Sequence, residues 1–337
     1  MSNKAFDALC VENVKIRRQA DDRFVTNLPP ARNNQKYCEI WMKCINGDYC
    51  ISLRPTFFQF QQEQQDMYGF GAQCIVFSPT GTTRQILESI ILGLAPVFRS
   101  QLDLTHPVPK QVTGDYRNEA AGVALIGMPV HAGRIPALGV TRLRASVRGN
   151  GRKAVLVVVY GNRAYDDALL ELRDLAMELG FVPFAAAAFV GEHSFSTADF
   201  PVAQGRPDKL DLDKAQEFGK CVREKMIEVE EGGGRVQLLH VPGNIPYREG
   251  AKPSLISPET DANKCILCGD CVESCPTSAI SLNGDTVDTD KMSCLRCCAC
   301  IRVCPSGARI MLHPKILEFG RTLHEKFAIR REPELFV

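Results

Sequence analysis

Two cysteine combs constrain this chain more than anything else in it. Cys265, Cys268, Cys271 and Cys275 run into Pro276. Cys294, Cys297, Cys300 and Cys304 run into Pro305, so each comb reads C-x2-C-x2-C-x3-C-P. Three thiolates spaced three residues apart on a tight loop can reach three irons of one cubane, while the proline steers the chain away after the fourth. Structural zinc is the competing assignment, but zinc sites use pairs of C-x2-4-C with a longer spacer. A triple comb repeated supplies the sulfurs that two [4Fe–4S] clusters need. The segments that follow also repeat, "PTSAISL" against "PSGARIM", and their small residues suit close packing against a cluster.

The chain has 337 residues and 15 cysteines. Those outside the combs are Cys10, Cys38, Cys44, Cys50, Cys74, Cys221 and Cys298. A disulfide framework belongs to small secreted domains in oxidising compartments. Clustered cysteines in a long chain read as metal ligands instead. The opening "MSNKAFDALCVENVKIRRQADD" lacks the apolar core and cleavage site of a signal peptide. No apolar run reaches transmembrane length, so a cytoplasmic location is expected. Forty basic and 39 acidic residues give no argument for nucleic acid or an anionic membrane. Cys298, between Cys297 and Cys300, reads as a buried spare thiol.

The length suggests two or three domains, and the region before the combs has a pattern of its own. A short apolar strand over 73–77 runs into Ser78-Pro79-Thr80-Gly81-Thr82-Thr83. A helix follows with Ile86, Leu87, Ile90, Ile91 and Leu94 on its apolar side. Backbone N–H groups at a helix start favour a phosphate, and the hydroxyls of Ser78, Thr80, Thr82 and Thr83 add donors. Helix capping explains the same residues. Neither G-x4-G-K-[ST] nor a G-x-G-x-x-G opening a helix is present. Strand and helix signals then alternate: a weak strand near 100–104, strands within 122–139, 154–180 and 181–195, and a helix over 210–231. Continuous apolar strands between helices predict a parallel sheet covered on both faces. Ligands bind such sheets at the carboxyl ends of the strands.

Residues 255–312 resemble a bacterial two-cluster ferredoxin. That resemblance implies ligation of one cluster by Cys265, Cys268, Cys271 and Cys304, and of the other by Cys294, Cys297, Cys300 and Cys275. Residues 72–230 resemble the flavodoxin family on "SPTGTT", "MPVHAGRIP" and "YGNRAYDD". With "GEHSF", the whole is similar to flavodoxin–ferredoxin fusion proteins. The implied fold class is α/β, a five-stranded parallel sheet of order 2-1-3-4-5 plus a small α+β two-cluster ferredoxin domain. The implied cofactors are FMN and two [4Fe–4S] clusters. "SPTGTT", including Gly81, matches the family's phosphate loop. Pro129, His131, Gly133, Tyr160, Gly161, Asn162 and Tyr165 fall in its two flavin-flanking loops, where His131 stands in place of a frequent aromatic.

In that loop His131 is expected to titrate near neutrality and couple reduction to protonation. His193 reads as a hydrogen-bonded structural residue. Asp166 and Asp167 are candidate helix-start acids. The expected boundaries are an uncertain or disordered extension over 1–70, an FMN domain over 71–231, a linker over 232–257, a ferredoxin domain over 258–314, and a C-terminal helix and tail over 315–337. In the extension, C-x5-C-x5-C is a poor metal template, and Met67 suggests that 1–66 is ill-packed or untranslated. Ile316, Leu317, Leu323 and Phe327 predict a helix docked on the body.

The expected function is electron transfer, with single electrons passing between the clusters and FMN and on to a partner oxidoreductase. Residues 258–312 hold seven acids and five bases, so that partner is expected to present a basic docking face. No acid–base pair or activated nucleophile is legible, which leaves enzyme status open. Two other readings stand beside this one: a flavin-dependent reductase acting directly on a quinone or NAD(P)H, and a redox-responsive binding module.

Overall fold

The computed structural model describes residues 70–108, 122–233 and 236–337, and before them only the backbone of four strands. The chain divides into two units, Met1–Gly69 and Phe70–Val337. In the first, β1 (Lys15–Arg18), β2 (Arg23–Asn27), β3 (Glu39–Ile45) and β4 (Asp48–Arg54) form an antiparallel sheet in sequence order. The expected uncertain extension therefore contains a sheet. Ile45 pairs with Asp48 across Asn46-Gly47, the dipeptide most favoured between hairpin strands. Cys10, Cys38 and Met67, and the side chains of Trp41, Cys44 and Cys50, lie outside the described residues.

The second unit is built on a six-stranded sheet of order β14-β9-β8-β7-β5-β6. Its parallel strands are β5 (Gly71–Val76), β6 (Phe98–Asp103), β7 (Gly122–Pro129), β8 (Lys153–Tyr160) and β9 (Val182–Val190). Numbered within this unit, their order is 2-1-3-4-5, the flavodoxin-like arrangement. The sixth strand, β14 (Glu334–Phe336), comes from the end of the chain and pairs antiparallel with β9. The sequence signals did not mark it, because three residues carry no period.

Successive strand residues face opposite sides, and each side has its own core. Ile75, Phe77, Ile126, Leu156 and Ala186 pack with Leu143 of α2 (Ala137–Ser146) and Leu169 and Leu172 of α3 (Ala168–Glu178). Cys74, Val76, Leu125 and Val157 pack with Ile86, Leu87 and Ile90 of α1 (Thr82–Leu94) and Phe218 and Val222 of α4 (Lys209–Glu231). Helices α1 and α4 cross with backbones in close approach. A Cβ on Gly93 would lie 1.8 Å from the Gln216 carbonyl oxygen.

Residues 236–257 contain no helix or strand and are lashed to α3. The Asp167 carboxylate accepts the backbone N–H groups of Asn244 (2.8 Å) and Arg248 (2.7 Å). Asp167 occupies the cap position of α3 but its side chain caps nothing. The acid read as a helix-start charge holds the linker instead.

The combs follow. They contribute single-turn helices α5 (Asp270–Glu273) and α6 (Ala299–Arg302), the hairpin β11 (Ile280–Asn283)–β12 (Thr286–Thr289), and the short pair β10 (Glu259–Thr260)–β13 (Arg309–Ile310). Helix α7 (Pro314–Phe327) docks through Leu323 and Gly320, while Leu317 of the expected stripe is exposed. Gly320 lets the helix approach the Phe195 carbonyl, which would lie 3.1 Å from a Cβ there. Among the described residues no helix is long and apolar enough to cross a membrane.

Candidate functional site

Four loops leave the carboxyl ends of β5, β7, β8 and β9 on one edge of the sheet, and those after β7, β8 and β9 bound an open cleft. Its floor is Val130, His131, Gly133, Tyr160, Gly161 and Arg163. His193, Ser194 and Phe195 close one side. The opposite wall belongs to the second comb, through Leu295 and Arg296, with Phe319 of α7 alongside. A second hollow shares His131, Tyr160, Gly161 and His193, and runs on to Thr80, Thr82, Pro129 and Cys297. The hydroxyl-rich loop and a comb thiol thus line one continuous depression.

Each loop has a local reason for its shape. After β7, His131 and Arg134 exchange backbone hydrogen bonds of 2.9 and 3.1 Å around Ala132 (φ 53°) and Gly133 (φ 80°). That is a two-residue turn of the primed kind. Gly133 is required twice over, since a Cβ there would stand 2.3 Å from the Asp166 carboxylate. After β8, a Cβ on Gly161 would fall 2.3 Å from the His193 ring. After β5, Gly81 (φ 82°) opens α1, and no side chain caps the helix. Ser78 is buried and its hydroxyl accepts the Arg84 N–H at 3.2 Å. The Thr83 hydroxyl is buried with no partner among the described residues.

The side chains of two expected ring contacts are engaged elsewhere. Asn162 is buried, and its amide donates to the carbonyls of Phe327 (2.6 Å) and Ile329 (2.9 Å) while accepting the Arg331 N–H. Tyr165 donates to Glu334 at 2.6 Å. Both hold the C-terminal tail, and neither lines the cleft. Ser78, Gly81 and Thr83 stand behind the hollow that Thr80 and Thr82 line. The residues that sequence reasoning missed are Arg163, Ser194, Phe195, Leu295, Arg296 and Phe319. "GEHSF" was the available signal for two of them.

His131 does not titrate near neutrality. Burial, with the nearby Arg296 charge, lowers it to about 4. Burial likewise lowers His193 to about 4, helped by His131 and Arg163. Both imidazoles are neutral at pH 7. His193 Nδ1 accepts the Phe195 N–H at 3.0 Å, which puts its proton on Nε2. The histidine read as structural is hydrogen-bonded as expected, and it also lines the cleft.

Beside the cleft lie two smaller cavities lined by thiols. One is bordered by Cys275, Cys294, Cys297 and Cys300, and by the spare thiol Cys298 beside them. The other is bordered by Cys265, Cys268, Cys271 and Cys304. Each cavity takes three thiols from one comb and the fourth from the other. Among the described residues no three His, Cys, Asp or Glu side chains close on a single metal ion.

Burial raises Cys297 to about 12 and also raises Cys300, against the pull of Arg309. Such thiols become ligands only when a metal supplies countercharge. Cys304 is lowered. Burial opposes its ionisation, but the N–H groups of Arg309 and Ala308 and the Ser306 hydroxyl outweigh it. Cys298 is buried and donates to the Arg296 carbonyl at 3.6 Å.

The comb region, residues 264–308, matches the family described as 4Fe-4S dicluster domain. The match covers the comb module alone, 45 of the 337 residues. Before it, the chain is similar to a flavodoxin from the domain Archaea, at 15% identity and TM-score 0.34, over 47% of this chain and 99% of that one. It is also similar to Megasphaera elsdenii flavodoxin, at 13% identity and TM-score 0.29, over 45% and 98%. A third likeness is the flavodiiron protein of Giardia intestinalis, at 16% identity and TM-score 0.32, over 53% of this chain and 41% of that one. No curated protein sequence matches the chain. The strand order, rather than these likenesses, makes the domain before the ferredoxin module flavodoxin-like.

Proposed function

We propose that this chain is an electron-transfer iron–sulfur flavoprotein with two [4Fe–4S] clusters in the thiol cavities and FMN in the cleft. The observation that carries the reading is the wall that the second comb lends the cleft: Leu295 and Arg296 border its larger part and Cys297 its smaller one. Cluster and flavin sites with a common wall suit electron exchange. In the cluster cavities, the chain supplies thiolates and N–H donors, such as Ala279 to Cys275 at 3.3 Å and Arg296 to Cys294 at 3.4 Å. Beside the cleft, the "SPTGTT" loop, with the uncapped start of α1 and the Thr80 and Thr82 side chains that line the hollow, would take the phosphate. Pro129, His131, Gly133, Tyr160 and Gly161 would flank the ring. FMN supplies a centre that accepts two electrons, and each cluster passes one. The neutral imidazoles of His131 and His193 would present ring N–H groups or lone pairs to the flavin without adding charge.

The expected partner is an oxidoreductase with a basic docking face, met at the exposed end of the ferredoxin module where Cys268 reaches solvent. Anaerobic purification followed by iron, sulfide and FMN analysis tests the reading, with a reductive titration followed by absorbance and EPR. Stoichiometric FMN, about eight irons and reduction of all centres by one donor are expected. Colourless or zinc-loaded protein overturns it. Steady turnover of NAD(P)H with a soluble acceptor and no partner would make the chain a direct reductase instead.

A further inference from the structure

Arg309, on β13, lines both thiol cavities. It is 2% exposed. Its guanidinium donates to the Thr260 hydroxyl at 2.6 Å, to the Pro258 carbonyl and the Thr289 hydroxyl at 3.1 Å, and toward Cys300 Sγ at 3.7 Å. Its Nε is buried with no acceptor among the described residues. Its backbone N–H faces the Cys304 thiol of the other set.

Every one of these side-chain acceptors is an uncharged group. A guanidinium stays protonated in proteins, and a buried charge without a counter-ion is strongly unfavourable. The missing negative charge therefore belongs in the cavities, where four thiolates around a cubane provide it. The two cavities do not share the cation equally: the guanidinium hydrogen-bonds a sulfur of the set Cys275, Cys294, Cys297 and Cys300, whereas in the other set its charge acts on Cys271 without a hydrogen bond and its backbone N–H meets Cys304.

We propose that Arg309 is the common countercharge of the two clusters, raising both reduction potentials and raising more the one whose ligands include Cys300. The inference rests on the reading that both cavities hold clusters. Adding one electron to a cluster adds one negative charge, which a nearby fixed cation and N–H···S contacts stabilise. The favoured cluster is the one whose Cys297 lines the flavin hollow. The other lies at the outer end, beside exposed Cys268 and Ile266. Electrons arriving from a low-potential donor at that end then run downhill to the cleft, one per cluster.

The test is a mediated, EPR-monitored redox titration of the full chain as wild type, R309M and R309K, each purified anaerobically and assayed for iron and sulfide. Wild type is expected to show two separated reduction steps. In R309M both move to more negative potential, the higher one further, so their separation shrinks. R309K, which keeps the charge but loses the fork, is expected between the two. Cluster-loaded variants that titrate as wild type does overturn the proposal. If R309M fails to load, R309K and the wild-type separation decide, and a single unresolved wild-type step overturns it. Wild type lacking about eight irons defeats the underlying reading instead, so the two failures are distinguishable.

Discussion

The Arg142 guanidinium donates to the Pro276 carbonyl at 2.7 Å, tying helix α2 of the flavodoxin-like domain to the end of the first comb. The same side chain donates to the Leu104 carbonyl at 3.0 Å and to that of Thr105, so it fixes the strand edge and the ferredoxin module together. Hydrogen bonds to a charged group contribute about 1.5–3 kcal/mol. Arg142→Ala should lower unfolding stability by roughly that amount. It should also speed hydrogen exchange around 276–280 and slow electron exchange between clusters and flavin, with cluster content unchanged. Stopped-flow reduction beside thermal unfolding checks it.

Gly161→Ala places a methyl group where the His193 ring stands. Overpacking of this kind costs about 1–3 kcal/mol. Because His193 must move out of its place in the cleft, FMN retention should fall more steeply than thermal stability. Equilibrium dialysis with FMN and a melting curve on the same preparation separate the two effects.

Protonation of His131 and His193 should destabilise the flavin-free protein in mild acid. Both have folded values near 4 against an ordinary value of 6.5, so the unfolded chain binds more protons between those limits. Stability is whole above about pH 6.5 and is lost as pH falls toward 4. Full burial would give about 2 kcal/mol per ring at pH 5; with some solvent contact, roughly 1 kcal/mol each is expected. H131N/H193N should flatten the curve measured by denaturant unfolding at pH 7.5 and pH 5.

Asn162→Ala removes three hydrogen bonds to the C-terminal tail, from the half-buried Phe327 to the exposed Ile329 and Arg331. A cost of about 1–3 kcal/mol is expected. Because β14 loses its tether, its amides should exchange faster and a protease should clip near residue 329. Tyr165→Phe, which loses only the Glu334 bond, should do the same more weakly. Hydrogen-exchange mass spectrometry over 327–337 reads both.

Breaking the Arg206–Asp211 pair should be the most damaging single change away from the cofactor sites. Its side chains are 5% and 0% exposed, and Asp211 also completes a reciprocal cap with Asp208 at the start of α4. Arg206→Ala leaves a nearly buried carboxylate, a loss of about 3–5 kcal/mol, although Arg330 at 3.3 Å offsets part of it. Chemical denaturation measures the loss.

Legibility followed range along the chain. The combs were readable because cluster ligation needs thiols at fixed short spacings. The parallel strands were readable because burial on both faces demands unbroken apolar runs such as "AVLVVVY". The loops "SPTGTT", "MPVHAGRIP" and "YGNRAYDD" were placed at strand ends for the same reason. The side-chain partners of Asn162 and Tyr165 were not legible because they lie more than 160 residues away, in a tail whose strand is too short to leave a pattern. Arg309 looked like one more basic residue in a module read as acidic.

By itself, the sequence determined the thiol spacing and the alternation of strand and helix, since both are set by covalent reach and local periodicity. The tertiary structure alone decided that the second comb walls the cleft, that the chain's end completes the sheet, and that one guanidinium is buried between two sets of thiols. Those relationships arise when distant segments pack and exclude water, and no short stretch of residues encodes them.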